Sequence, residues 1–129
     1  TEDSGGRQRA DALQAAGAHI VCLPADNVGR PRLSALLQEL GRRAINELHV
    51  EAGAALNGAL LAQGHVDELL VYVAPLLLGP GQPLADLSAI PELSMAARWQ
   101  LCEPRALGDD IRLRLRTTPG NSYGHSTHG

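Results

Sequence analysis

The sequence predicts an α/β domain with a mostly parallel sheet, an antiparallel C-terminal strand pair and helices on both faces. Three observations carry this reading. Helix-period and strand-period stretches alternate along most of the 129 residues. The stretch "ELLVYVA" is apolar on both faces, as a central strand covered from both sides would be. Near the end, "IRLRLR" alternates strictly, as a strand with one buried face does.

The elements follow in order. Residues 9–16, "RADALQAA", read as a short helix, and Gly17 caps it because glycine takes the left-handed conformation without steric cost. "HIVCL", residues 19–23, reads as a strand. Residues 26–29 form a turn, and Pro31 sits where a first helical turn tolerates it. Leu33, Leu36, Leu37 and Leu40 recur at helical spacing, with Gly41 as the stop. "INELHVE", residues 45–51, is a short parallel strand. Residues 53–63 form a helix of small residues with Leu56, Leu60 and Leu61 on its packing face, ended by Gly64. In the next strand Leu69, Val71 and Val73 point one way and Leu70, Tyr72 and Ala74 the other, which places it centrally.

Residues 79–97, with Pro80, Pro83 and Pro91, are loop-rich. Residues 99–104 and 110–116 are two strands joined by a turn at Gly108 and Asp109. Ile111, Leu113 and Leu115 face the core; Arg112, Arg114 and Arg116 face outward. That cationic face fits either a phosphate site or a solvated surface that discourages edge pairing. Residues 117–129 read as a flexible tail. His125 and His128 lie there without further ligands, so no metal site is expected.

Composition narrows the function. Apolar residues make up 44% and aromatic residues 2%, too few rings for base-stacking platforms. The net charge of −3 gives no basic field for nucleic acid. The longest apolar run falls short of the roughly 20 residues a membrane span needs, and no secretory signal opens the chain. Cys22 and Cys102 read as buried, reduced thiols. A cytoplasmic protein is expected.

One stretch is site-like. In open parallel sheets, ligands bind beyond the carboxyl ends of strands. Glu51 falls at such an end, and Gly53 opens the next helix, whose free N–H groups and dipole attract phosphate. Gly53, Ala54, Ala55, Gly58 and Ala59 are small enough to let a phosphate approach. Glu51 would repel that phosphate and suits a hydroxyl or amide donor instead. The same residues also fit a glycine needed for helix–sheet packing beside a solvated carboxylate.

The stretch "INELHVEAGAALNGALLAQGHVDELLVYVAPLLLG" resembles the reductase domain of the riboflavin-biosynthesis bifunctional deaminase/reductase family, which has a dihydrofolate-reductase-like fold. The matching pieces are residues 50–53, 66–69, 74–75 and 78–79, in family order and spacing, with "LGDDIRLRLR" similar to the closing strand. The resemblance covers residues 10–116. It implies NADPH-dependent reduction of the ribosyl group of 5-amino-6-(5-phosphoribosylamino)uracil to the ribityl form. By match, Gly53, Ala54, Ala55, Leu56, Asn57, Gly58 and Ala59 hold the NADPH phosphates, and Glu51 contacts the phosphorylated pyrimidine substrate. Ala54 and Ala55 stand where many relatives carry Pro or Thr.

The chain is therefore expected to be the C-terminal portion of a reductase domain, residues 1–116, N-terminally truncated, and to form a homodimer. The family's deaminase half is not matched: the chain has no C-x-x-C with which to build a zinc site. No catalytic acid stands out. His19, His49 and His65 are candidates by residue type only, and His49 shares a strand face with Glu51 in this reading. The alternatives are a non-catalytic fragment that only dimerises and a dihydrofolate-reductase-like reductase of another pterin or pyrimidine.

Overall fold

The structure is a computed structural model that describes residues 4–90 and 92–118. The chain divides into two compact units, Thr1–His49 and Val50–Gly129. Of the expected tail, residues 117–129, Thr117 instead closes the last strand, and residues 119–129, with His125 and His128, lie outside the described residues.

The first unit holds two helices, α1 (Ser4–Ala15) and α2 (Leu33–Arg42). Helix α1 starts earlier than its apolar pattern predicts, despite Gly5 and Gly6. Arg9 Nε donates to Gly5 O at 3.2 Å, a bond one turn back that ties the first turn down. At its end Ala18 N–H donates to Leu13 O at 2.9 Å and Gly17 N–H to Gln14 O at 2.9 Å. Gly17, at φ +90°, provides the left-handed residue this Schellman closure needs.

Helix α2 closes in the same way but not at the expected glycine. Gly41 stays inside the helix. Ile45 N–H bonds Leu40 O at 3.1 Å, and the left-handed residue is Ala44, at φ +60°. Between the helices, Asp26 organises the turn: its Oδ1 accepts the N–H groups of Val28 (2.9 Å) and Arg30 (2.8 Å). These bonds hold the carboxyl below its ordinary range, the Arg30 amide contributing most.

The second unit holds α3 (Ala54–Ala62), β1 (Glu68–Val73), a 3-10 turn at Leu93–Met95, β2 (Trp99–Leu107) and β3 (Asp110–Thr117). The sheet order is β1-β3-β2, and both pairings are antiparallel. Strands β2 and β3 form a hairpin in which Leu107 pairs with Asp110. Gly108, at φ +62°, takes the first loop position, where two-residue hairpins of this kind need a positive φ.

Three expectations are corrected here. The mostly parallel sheet is not found: residues 19–23 and 45–51 form no strand among the described residues. Their β-branched composition suits a pleated surface, but a strand exists only through a neighbour's ladder. Val21, Ile45, Leu48 and Val50 are instead exposed.

Strand β1 is not central; β3 takes that place, and Tyr72 on β1 is 61% exposed. Among its described residues this unit holds one α-helix, so helices on both faces of the sheet are not found within it. Leu61 of α3 lies with Leu69, Trp99 and Thr117 around one apolar cavity of about 330 Å³. Among the described residues of this unit, the face of Tyr72 and Arg105 carries no helix. Leu60 is the one buried hydrophobic side chain among the described residues, and Leu56, expected to pack, is exposed.

Cys22 and Cys102 are free, as expected, but exposed rather than buried. Cys102 falls where the β2–β3 register shifts between Leu101 and Glu103, so a bulge turns it out of the regular alternation.

Candidate functional site

Helix α3 begins directly after Glu51–Ala52–Gly53. Gly53 is the N-cap residue, in extended backbone (φ −76°, ψ 170°), and no side chain caps the helix. The first intrahelical bond runs from Asn57 N–H to Gly53 O at 3.1 Å. The amides of Ala54, Ala55 and Leu56 precede it and have no partner within the helix, as at any helix start. Gly53, Ala55 and Leu56 are exposed, and so is Glu51. A Cβ built on Gly53 would meet nothing within 4 Å. The helix start is open and presents N–H groups and the positive end of the dipole.

The second half of the expected phosphate-holding set is arranged differently. Asn57 Nδ2 donates to Ala52 O at 3.0 Å and to Leu84 O at 3.1 Å. Gly58 is buried, and a Cβ there would fall 2.0 Å from Asp86 O. Asp86 N–H in turn donates to Ala54 O at 2.8 Å. Asn57 and Gly58 therefore dock α3 against residues 84–86, while Ala59 is half-buried. The sequence reading missed Leu84 and Asp86. The available signal was a glycine inside a helix, which costs about 1 kcal/mol against alanine and usually marks a close contact.

Of the three candidate histidines, one, His65, belongs to the unit of this helix start. His65 lies at the far end of α3, where its N–H bonds Leu60 O at 2.9 Å. His19 and His49 belong to the other unit. Because residues 45–51 form no strand, the period-two argument that put His49 and Glu51 on one face no longer applies. The apolar cavity is lined by Leu61 in the C-terminal half of α3 and by Gly64 just after it, and does not include Glu51 or Gly53. What this start can do chemically is receive an anion at its amides, with a carboxylate acceptor two residues before the N-cap.

Known proteins resemble the chain over most of its length. The family model of the RibD C-terminal domain matches residues 4–113. Riboflavin biosynthesis protein RibD of Haemophilus influenzae is 45% identical over 94 residues, covering 72% of this chain and 24% of that protein. The 5-amino-6-(5-phosphoribosylamino)uracil reductase of Buchnera aphidicola is 34% identical over 91 residues, covering 70% of this chain and 44% of its own length. The solved structure of Acinetobacter baumannii RibD superposes with a TM-score of 0.72 at 31% identity, over 84% of this chain and 29% of that one. The chain thus spans about a quarter of the Haemophilus relative. With most of its residues matched by the family model, the chain belongs to the RibD C-terminal domain family.

Proposed function

We propose that the chain carries part of a cytoplasmic, NADPH-dependent reductase that converts the ribosyl group of 5-amino-6-(5-phosphoribosylamino)uracil to the ribityl form. The observation that carries this reading is the open start of α3, with no capping side chain and free space where a side chain on Gly53 would lie. It stands in a chain whose relatives include a named reductase of that compound.

The fit to the cofactor is partial and specific. The amides of Ala54, Ala55 and Leu56 would hold a phosphate through backbone hydrogen bonds and the helix dipole. Asn57 and Gly58 act one step back, fixing α3 on residues 84–86 so that its start stays in place. Glu51 would accept a hydrogen bond from a hydroxyl or amine of the substrate. When bound, NADPH supplies the hydride. Homodimerisation belongs to the same reading and is supported by the exposure of Tyr72, Val73, Leu76, Leu77 and Leu78 on and after β1.

Calorimetric titration of the chain with NADPH tests the proposal. Gly53→Asp adds bulk and negative charge where the phosphate would sit, in space that no protein atom occupies. It is expected to weaken NADPH binding by at least about tenfold without unfolding the helix. Glu51→Ala should spare NADPH and weaken the substrate. Unchanged NADPH affinity in Gly53→Asp would sink the cofactor site, and equal loss of both ligands in Glu51→Ala would contradict the division of roles.

A further inference from the structure

The chain has no lysine, and several of its arginines share one sheet face. The register sets them in rows. Tyr72, Arg112 and Arg105 lie across β1-β3-β2; the next row is Leu70, Arg114 and Glu103; the last is Glu68, Arg116 and Gln100. Residues directly opposite in antiparallel pairs point to the same side. Leu69, Trp99 and Thr117, of the other parity, line the cavity beside α3. The arginine face is thus the one turned away from α3.

The last row is electrically closed, with Arg116 Nε 2.9 Å from Glu68 Oε2. The other two rows are not. Arg112 Nη2 and Arg114 Nε approach the same oxygen, Glu103 Oε2, at 3.4 and 3.7 Å. One carboxylate thus serves two guanidiniums, and Arg105 adds a third cation directly across from Arg112. Like charges directly opposite one another destabilise a sheet. Moreover, Arg112 Nε and Arg114 Nε are buried without a hydrogen-bond acceptor, which is costly for a charged donor group. A register shift between Leu101 and Glu103 brings the lone carboxylate between Arg112 and Arg114, and still leaves positive charge in excess. The guanidinium pair sits at cross-strand spacing, about 5 Å between Cβ atoms, which suits a tetrahedral oxyanion held by two planar forks.

We propose that this face binds a phosphate group, as inorganic phosphate or a small phosphate monoester, between Arg105 and Arg112, with Arg114 beside them. The site is separate from the start of α3 and does not rest on the reductase reading. A phosphate dianion would neutralise the excess charge and relieve the opposed Arg105–Arg112 pair. The exposed ring of Tyr72 borders it in the same row.

The test is a titration of the 15N-labelled full chain with inorganic phosphate, following arginine Nε–H resonances at low ionic strength. The Arg105 and Arg112 signals are expected to move on one saturable curve. Arg112→Gln should weaken that curve by at least about tenfold. Arg105→Gln, at an exposed position of β2, makes the same test if Arg112→Gln fails to fold. An unchanged curve in Gly53→Asp supports a site apart from α3. The proposal is overturned if neither signal moves, if sodium chloride at matched ionic strength gives the same curve, or if phosphate binding survives both arginine variants.

Discussion

Gly58→Ala puts the docking of α3 to a quantitative test. Its Cβ would lie 2.0 Å from Asp86 O, 2.7 Å from Asp86 C and 2.9 Å from Asp86 N. All three atoms are backbone, so no side-chain rotation relieves the contact. Residues 84–86 must move away, and two hydrogen bonds move with them: Asp86 N–H to Ala54 O at 2.8 Å and Asn57 Nδ2 to Leu84 O at 3.1 Å. Overpacking of this kind costs about 1–3 kcal/mol, and the two bonds contribute about 1 kcal/mol each. Alanine returns about 1 kcal/mol in helix propensity. The net loss is therefore about 2–4 kcal/mol, or a fall in Tm of about 8–16 °C at about 4 °C per kcal/mol. Scanning calorimetry of the two chains measures it, with Ala55→Gly as an exposed control that loses propensity alone. A Gly58→Ala chain as stable as the parent would refute the close approach of α3 to residues 84–86.

Two further outcomes concern the first unit. Ala44→Gly should raise stability by about 0.5–1 kcal/mol, because the left-handed φ of +60° costs alanine about 1–2 kcal/mol while glycine returns part of that through a freer unfolded chain; a lower Tm would contradict this account of the α2 closure. Asp26 and Glu39 both have carboxyls held below their ordinary values of 3.8 and 4.5, Asp26 chiefly by the Arg30 amide and Glu39 chiefly by the Arg43 side chain. A depressed folded-state value means that their contribution is present above those ordinary values and is lost as pH falls through the folded ones. Thermal unfolding followed from pH 7 to pH 3 should show the decline only below about pH 4.5, flattened by Asp26→Asn and Glu39→Gln; an unaltered slope in both variants would remove these carboxyls as its source.

What the sequence made legible follows from the range of the forces involved. Helix ends and hairpins are local. Gly17 and Gly64 could be placed as closures, and Gly108 as a hairpin residue, because the left-handed conformation has one cheap occupant. Ala44 escaped that logic: its conformation is imposed by the bond from Ile45 N–H to Leu40 O, and nothing in alanine's chemistry announces it. The alternation of β1 and β3 was readable for the same local reason, since a period of two survives whatever the neighbours are, but which side is covered was not: Ile111, expected in the core, is exposed, and Arg112 and Arg114, expected outward, are half-buried.

Pairing is not local, and there the reading failed. "HIVCL" and "INELHVE" have strand composition, but composition carries no information on which ladder lies alongside. The same gap explains β1: two apolar faces describe what could cover a strand, not what does. The candidate site divides along this line. Glu51 and the open start of α3 were visible as sequence. The roles of Asn57 and Gly58 depend on Leu84 and Asp86, more than 25 residues away. A small residue in a phosphate-binding helix and a small residue under a crossing loop look identical in one sequence. Asp86 O, 2.0 Å from the missing Cβ, decides between them for Gly58, while the empty space around a Cβ on Gly53 keeps the helix start as the part of the set on which the proposed phosphate contact rests.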